Sequence, residues 1–308
     1  MEFSVLLEKM LIFIALMLMA YVMARRGILG SDFTRTASKL VVDVFLTGTI
    51  LSSMITTGSE QSLASIGKIV IMTFVIQLIG YAVAAFAMRF VQAEENRAAP
   101  LELLMAVPNT MFIALPIAQS IYGSYAVLIL SVSCIAFNFL LYSYGVWKLN
   151  GKLGGKLRMR ELFSVPLIAT LAGILILVLK IPIPGVLVSL FSSLNGATMP
   201  MSMMVIGASL GSVSLLEAFR NGKLAFVSLI RLIVIPVLVW VICRFLTDDT
   251  VLLMTCMIIS AAPSAVMVTI LSIQYGKDGT FCSEGVLHTT VCSMVTIPVL
   301  IAVLSHFC

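Results

Sequence analysis

The chain has 308 residues, of which 60% are hydrophobic and only 11% charged, with a mean hydropathy of +1.13 and a formal net charge of +5. A soluble globular domain carries about 25% charged residues, so the composition excludes one. A hydrocarbon core about 30 Å thick takes roughly 20 apolar residues per helical crossing, which gives this length room for about ten crossings joined by short loops.

Runs such as Leu11 to Met19 and Leu171 to Leu179 are long and do not alternate, which argues against a transmembrane barrel. Helices remain as the spanning element, so the expected class is an all-α polytopic membrane protein. The first run follows Glu2, Glu8 and Lys9 and continues to Ala24; lacking a basic leader, it reads as a retained span rather than a signal peptide. Spans are predicted near residues 5–24, 40–57, 66–90, 99–122, 125–147, 162–180, 186–213, 223–246, 250–275 and 282–306. With the N-terminus outside, fourteen basic residues fall on the cytoplasmic side and four, Lys9, Lys68, Lys180 and Arg244, fall outside, while Arg231 lies within span eight. The positive-inside rule then sets both termini on the extracytoplasmic side of the cell membrane. The net positive charge is thereby a topology signal, and no nucleic-acid partner is expected. The six cysteines, Cys134, Cys243, Cys256, Cys282, Cys292 and Cys308, sit mostly in apolar runs without metal-ligand spacing, so no metal or cofactor is expected. The chain has no Walker motif that would couple ATP directly.

An internal repeat is visible. Gly67-Lys68 recurs as Gly222-Lys223, Arg89-Phe90 as Arg244-Phe245 and Pro108 as Pro263, all at an offset of 155, and Tyr122-Gly123 recurs as Tyr275-Gly276 at 153. Two halves of five spans follow, residues 1–149 and 161–308, around a cytosolic linker at 150–160 rich in glycine and basic residues. Because five is odd, the second half inserts upside down, giving inverted repeats.

Pro108 in span four and Pro263 in span nine fall near mid-depth, roughly 14 Å and 20 Å along their spans. Proline has no amide hydrogen and clashes with the carbonyl four residues back, so the Leu104 and Ile259 carbonyls lose their helical donors. Two interrupted helices are therefore expected to meet at the bilayer centre, where half-helix starts offer amides and positive dipole ends to an anion. Asn109, Thr110 and Ser264 lie beside the breaks.

The sequence Pro108-Asn109-Thr110, followed by Leu115-Pro116 and Ile121-Tyr122-Gly123, with Ala261-Ala262-Pro263-Ser264 and Thr296-Ile297-Pro298, resembles the auxin efflux carrier family over essentially the full chain. Arg35 to Met54 resembles that family's second span, with Leu46-Thr47 in place of Leu-Pro. The resemblance implies the crossed broken helices of sodium/proton antiporters and bile-acid symporters, with a scaffold of spans 1, 2, 6 and 7 and a transport domain of spans 3–5 and 8–10. It also implies elevator-like transport of an organic anion by a homodimer joined through scaffold helices, with Pro108, Asn109, Thr110, Pro263 and Ser264 at the substrate. The long central loop of plant members is absent, so a bacterial carrier of small carboxylates such as malate or malonate is the nearer likeness, ahead of one for an auxin-like acid. A proton- or sodium-coupled ion antiporter of the same fold is the alternative.

Ionisable residues inside spans are functional candidates. Asp43 is either a relay or a partner of Lys39 one turn back, and Glu102 either a proton carrier or a helix-start acid. Arg231 either snorkels or balances an acid or substrate, and His288 either titrates or is a structural hydrogen-bonder. Gln77 and Asn138 suit helix-to-helix hydrogen bonding, or a polar relay. Gly207-Ala208-Ser209-Leu210-Gly211 fits a nucleophile elbow, with His288 as base of an intramembrane serine protease, but its small residues equally suit close helix packing. No enzymatic role is expected.

Overall fold

The computed structural model describes residues 3–57, 63–151, 163–211 and 215–307. From residue 152 onward, the expected linker lies outside the described residues. In chain order the helices are α1 (Phe3–Arg25), α2 (Ser31–Leu40), α3 (Leu46–Thr57), α4 (Leu63–Ala87), α5 (Glu95–Ala106), α6 (Leu115–Leu140), α7 (Val146–Asn150), α8 (Val165–Leu179) and α9 (Gly185–Gly211). They continue with α10 (Leu215–Arg220), α11 (Gly222–Leu229), α12 (Ile235–Arg244), α13 (Thr250–Ala261), α14 (Val266–Gln274) and α15 (Gly279–Leu304). Among the described residues, four π-helical turns, Val41–Phe45, Thr110–Ala114, Leu141–Gly145 and Ile230–Val234, lead into α3, α6, α7 and α12.

Among the described residues, five helical stretches are long and apolar enough to cross a bilayer: Asp32–Thr57, Ala64–Phe90, Thr110–Asn150, Gly222–Arg244 and Gly279–Phe307. Val165–Leu179 and Thr250–Ala261 are shorter apolar helices. The protein is thus an all-helical polytopic membrane protein. Thr110–Asn150 has 41 residues, about 60 Å at 1.5 Å per residue, twice a hydrocarbon core. Gly123 divides it: its backbone, at φ 69° and ψ −151°, is one that side-chain-bearing residues rarely adopt. Gly276, which follows α14, has φ 68°, so the Tyr-Gly echo in the sequence places a glycine of positive φ twice. The offset of 155 also recurs in the backbone, since α5 and α13 are both 12 residues long and begin and end that far apart.

The chain clusters into two compact units. The first comprises Met1–Ile71, Met111–Ile135 and Phe163–Ser212. In it α9 packs along α1 and α3, and α3 packs against α8. Polar pairs stitch these apolar helices: Thr49 and Thr198 hydroxyls lie 2.6 Å apart, Ser53 Oγ donates to the Ser124 carbonyl at 2.6 Å, and Gln119 Nε2 donates to Asn195 Oδ1 at 2.6 Å. At Gly207 there is no space for a side chain, because a Cβ would collide with the Met17 carbonyl oxygen and lie 2.8 Å from the Met17 carbonyl carbon. Ser209 lies within the continuous helix α9, without the strand-to-helix turn that a nucleophile elbow requires. The glycine-rich pattern is a helix-packing stripe.

The second unit comprises Met72–Thr110, Ala136–Leu162 and Val213–Cys308. Its core includes Leu101, Leu103, Leu104 and Met105 of α5, Leu224 and Val227 of α11, and Phe281 and Cys282 of α15. At its edge Asp278 caps α15, accepting from the Phe281 amide at 2.9 Å and from Arg97 Nε at 2.8 Å. The Arg97 guanidinium also lies 5.2 Å from the centre of the Phe281 ring. The Phe281 amide first, and Arg97 with it, hold the Asp278 carboxyl below the usual carboxylate range. A depressed folded value means that the stabilisation is complete above the unfolded value of about 3.9 and fades as pH falls through the folded one. The thermal unfolding midpoint of Asp278→Asn is accordingly expected to lie below that of the parent at neutral pH, with the gap closing in acid below about pH 4.

Candidate functional site: two crossed helix breaks

Helices α5 and α13 both stop one residue before the residue preceding a proline. A proline disfavours helical geometry in the residue before it. Val107, before Pro108, is extended at φ −97° and ψ 111°, and Ala262, before Pro263, at φ −61° and ψ 143°. The two extended stretches cross antiparallel, with Pro108 opposite Ser264. Two main-chain bonds close the crossing: the Asn109 amide donates to the Pro263 carbonyl at 2.7 Å, and the Ala265 amide to the Val107 carbonyl at 3.0 Å.

The carbonyls orphaned by the prolines both find donors. Ser264 Oγ donates to the Leu104 carbonyl at 2.6 Å, and Arg231 Nη2 donates to that of Ile259 at 3.3 Å. Arg231 sits in the π-helical turn Ile230–Val234 and is 1% exposed. Its Nε donates to the Ala262 carbonyl at 2.8 Å, and its Nη1 to those of Met105 and Ala106, each at 3.2 Å. The guanidinium therefore turns inward and caps the C-terminal ends of both half-helices, neither snorkelling nor pairing with an acid. Pi-helical turns carry no signature in sequence, so the aim of this side chain was not legible there.

Ser264 is fully buried, and its amide donates to Thr289 Oγ1 at 3.1 Å. Thr110 Oγ1 is buried and has no hydrogen-bond partner among the described residues, and the same holds for Gln77 Nε2. A small cavity lined by Gln77, Gly80, Ala106, Pro108, Arg231 and Ser260 adjoins the crossing. Asn138 is buried within the same unit.

Of the remaining candidates, Glu102 and His288 have other partners. Glu102, 3% exposed, accepts from the Tyr144 hydroxyl at 2.5 Å and is paired with Lys148 at 2.9 Å. It is thus a buried acid tying α5 to the segment leading through α7. His288 Nδ1 lies 2.6 Å from Ser228 Oγ, and the imidazole centre is 4.4 Å from that of the Phe219 ring. Asp43 belongs to the first unit, is half-buried in the turn Val41–Phe45, and forms no ion pair with Lys39. Replacing Glu102 by Gln leaves Lys148 without its counter-charge, for which a loss of about 1 to 3 kcal/mol is expected in equilibrium unfolding.

Crossed, proline-broken helices inside an apolar, all-helical unit define a membrane transport architecture. The chain belongs to the membrane transport protein family, whose profile matches residues 5–301, and with it to the auxin efflux carrier group that the crossing motifs resemble. An uncharacterized transporter of Methanothermobacter thermautotrophicus is 23% identical over 296 residues, covering 94% of this chain and 96% of that protein. A second uncharacterized transporter, from Methanocaldococcus jannaschii, is 23% identical over 302 residues, with the same coverage of each chain.

Proposed function

We propose that this transporter moves a small organic anion, a carboxylate such as malate, malonate or an auxin-like acid, across the cell membrane by alternating access. The observation that carries the reading is the antiparallel crossing at Pro108 and Ser264, with the buried, unpartnered Thr110 hydroxyl at the start of the half-helix leaving it. Thr110 Oγ1 is one of eight buried side-chain polar atoms without a partner among the described residues, and the one next in sequence to the crossing; a bound carboxylate would supply it with an acceptor. Asn109 and Thr110 orient the substrate, while Ser264 and the two prolines hold the crossing in shape. Uptake and counterflow in proteoliposomes against a panel of mono- and dicarboxylates tests this. Saturable exchange of at least one carboxylate is expected, and flux that never saturates would make the protein a channel.

The reading includes ten spans in two inverted halves with both termini outside. The equal lengths of α5 and α13 and the paired left-handed glycines support it. Cysteines introduced at positions 154 and 248 test the topology: an impermeant reagent applied from outside is expected to label 248 and spare 154. In the elevator form of the mechanism, α1 to α3, α8 and α9 are the scaffold, and the clustering of these helices into one unit supports that assignment, though Met111–Ile135 clusters with them.

A further inference from the structure

We infer that Arg231 is a resident counter-cation, occupying with its guanidinium the place that a coupling sodium ion would take, so that the crossing is held together without sodium. Each helix C-terminus carries about half a negative charge, and two such ends meet here where water is scarce. Carriers with broken helices commonly use those ends and the unwound carbonyls beside them to coordinate a cation. In this protein the carbonyls at the two ends, Met105 and Ala106 from one and Ile259 and Ala262 from the other, are the acceptors of the Arg231 side chain. One full positive charge offsets the two half charges of these C-terminal ends.

The geometry separates this role from its rivals. At 1% exposure, with its bonds directed inward, the head group does not reach an interface. Four of its five N–H groups are committed to carbonyls, which leaves too few for the paired donation that a carboxylate takes from arginine. The cavity beside it is lined by Ile76, Gln77, Gly80, Ile235 and Ser260 among others and includes no acid. A sodium ion would need oxygen ligands, and the guanidinium already holds four carbonyls at these two ends. The charge is also covalent and cannot dissociate between turnovers.

The consequence for coupling rests on the transport reading above, but the test reads stability, so an error about the substrate leaves it intact. Thermal unfolding of the purified full chain in detergent is followed in matched sodium chloride and choline chloride, and with low-millimolar guanidinium added. The parent is expected to melt at one midpoint in both salts. Arg231→Ala is expected to melt about 5 to 10 °C lower in choline, recovering part of that shift with sodium or guanidinium. Arg231→Lys, which keeps the charge and loses the fork, should fall between them, and serves as the reading if the alanine variant does not fold. A parent midpoint raised by sodium over choline would overturn the inference. So would an Arg231→Ala midpoint equal to the parent's, or one equally depressed in all three salts, since the side chain would then act by packing alone.

Discussion

Asn109→Asp is expected to abolish carboxylate transport while leaving the protein folded. The crossing is closed by the main-chain amide of Asn109, not by its side chain, so the bond to the Pro263 carbonyl survives the change. On the proposed function, a fixed negative charge would then face the substrate anion in a site where water screens little. Asn109→Ala removes one polar partner without adding a charge, and an affinity loss of about tenfold to a hundredfold is expected, corresponding to about 1 to 3 kcal/mol. Counterflow in proteoliposomes gives the ranking parent, Ala, Asp. An aspartate variant as active as the parent, with an unchanged melting profile, would move the anion site away from the crossing.

Gly207→Ala is expected to be the most damaging single methyl addition in the first unit. The clash is with the Met17 main chain, which has no rotamer with which to escape, so α1 and α9 must move apart along their shared length. Overpacking costs about 1 to 3 kcal/mol where side chains can adjust, and a rigid backbone neighbour puts this site at or above the upper figure. The unfolding midpoint in detergent should fall by several degrees, and Gly207→Leu should fail to accumulate as folded protein. A Gly207→Ala variant as stable as the parent would show that the two helices do not approach as closely as described.

Both helix breaks were legible because proline acts locally. Its missing amide predicts interrupted helices at Pro108 and Pro263 without knowledge of the fold, and in the structure α5 ends at Ala106 and α13 at Ala261, just before those prolines. The orphaned carbonyls of Leu104 and Ile259 followed from the same rule. Their partners were not legible. Ser264 reaches Leu104 across 160 positions of sequence and Arg231 reaches Ile259 across 28, and no periodicity carries such pairings. Glu102 shows the same limit, since its neighbours Tyr144 and Lys148 come from the far end of another segment. The Tyr-Gly echo was visible as letters, whereas its meaning, a glycine at positive φ in each copy, required the backbone.

The crossing also sets an order of events during synthesis. When the first half of the chain has entered the bilayer, the break at Pro108 exists, but the donors for Leu104, Met105 and Ala106 belong to residues 231 and 264, which the ribosome has not yet made. Until then three carbonyls face lipid or whatever surrogate the insertion machinery supplies. The N-terminal half is therefore an incomplete object rather than a smaller carrier, and its broken helix matures only when the second half arrives.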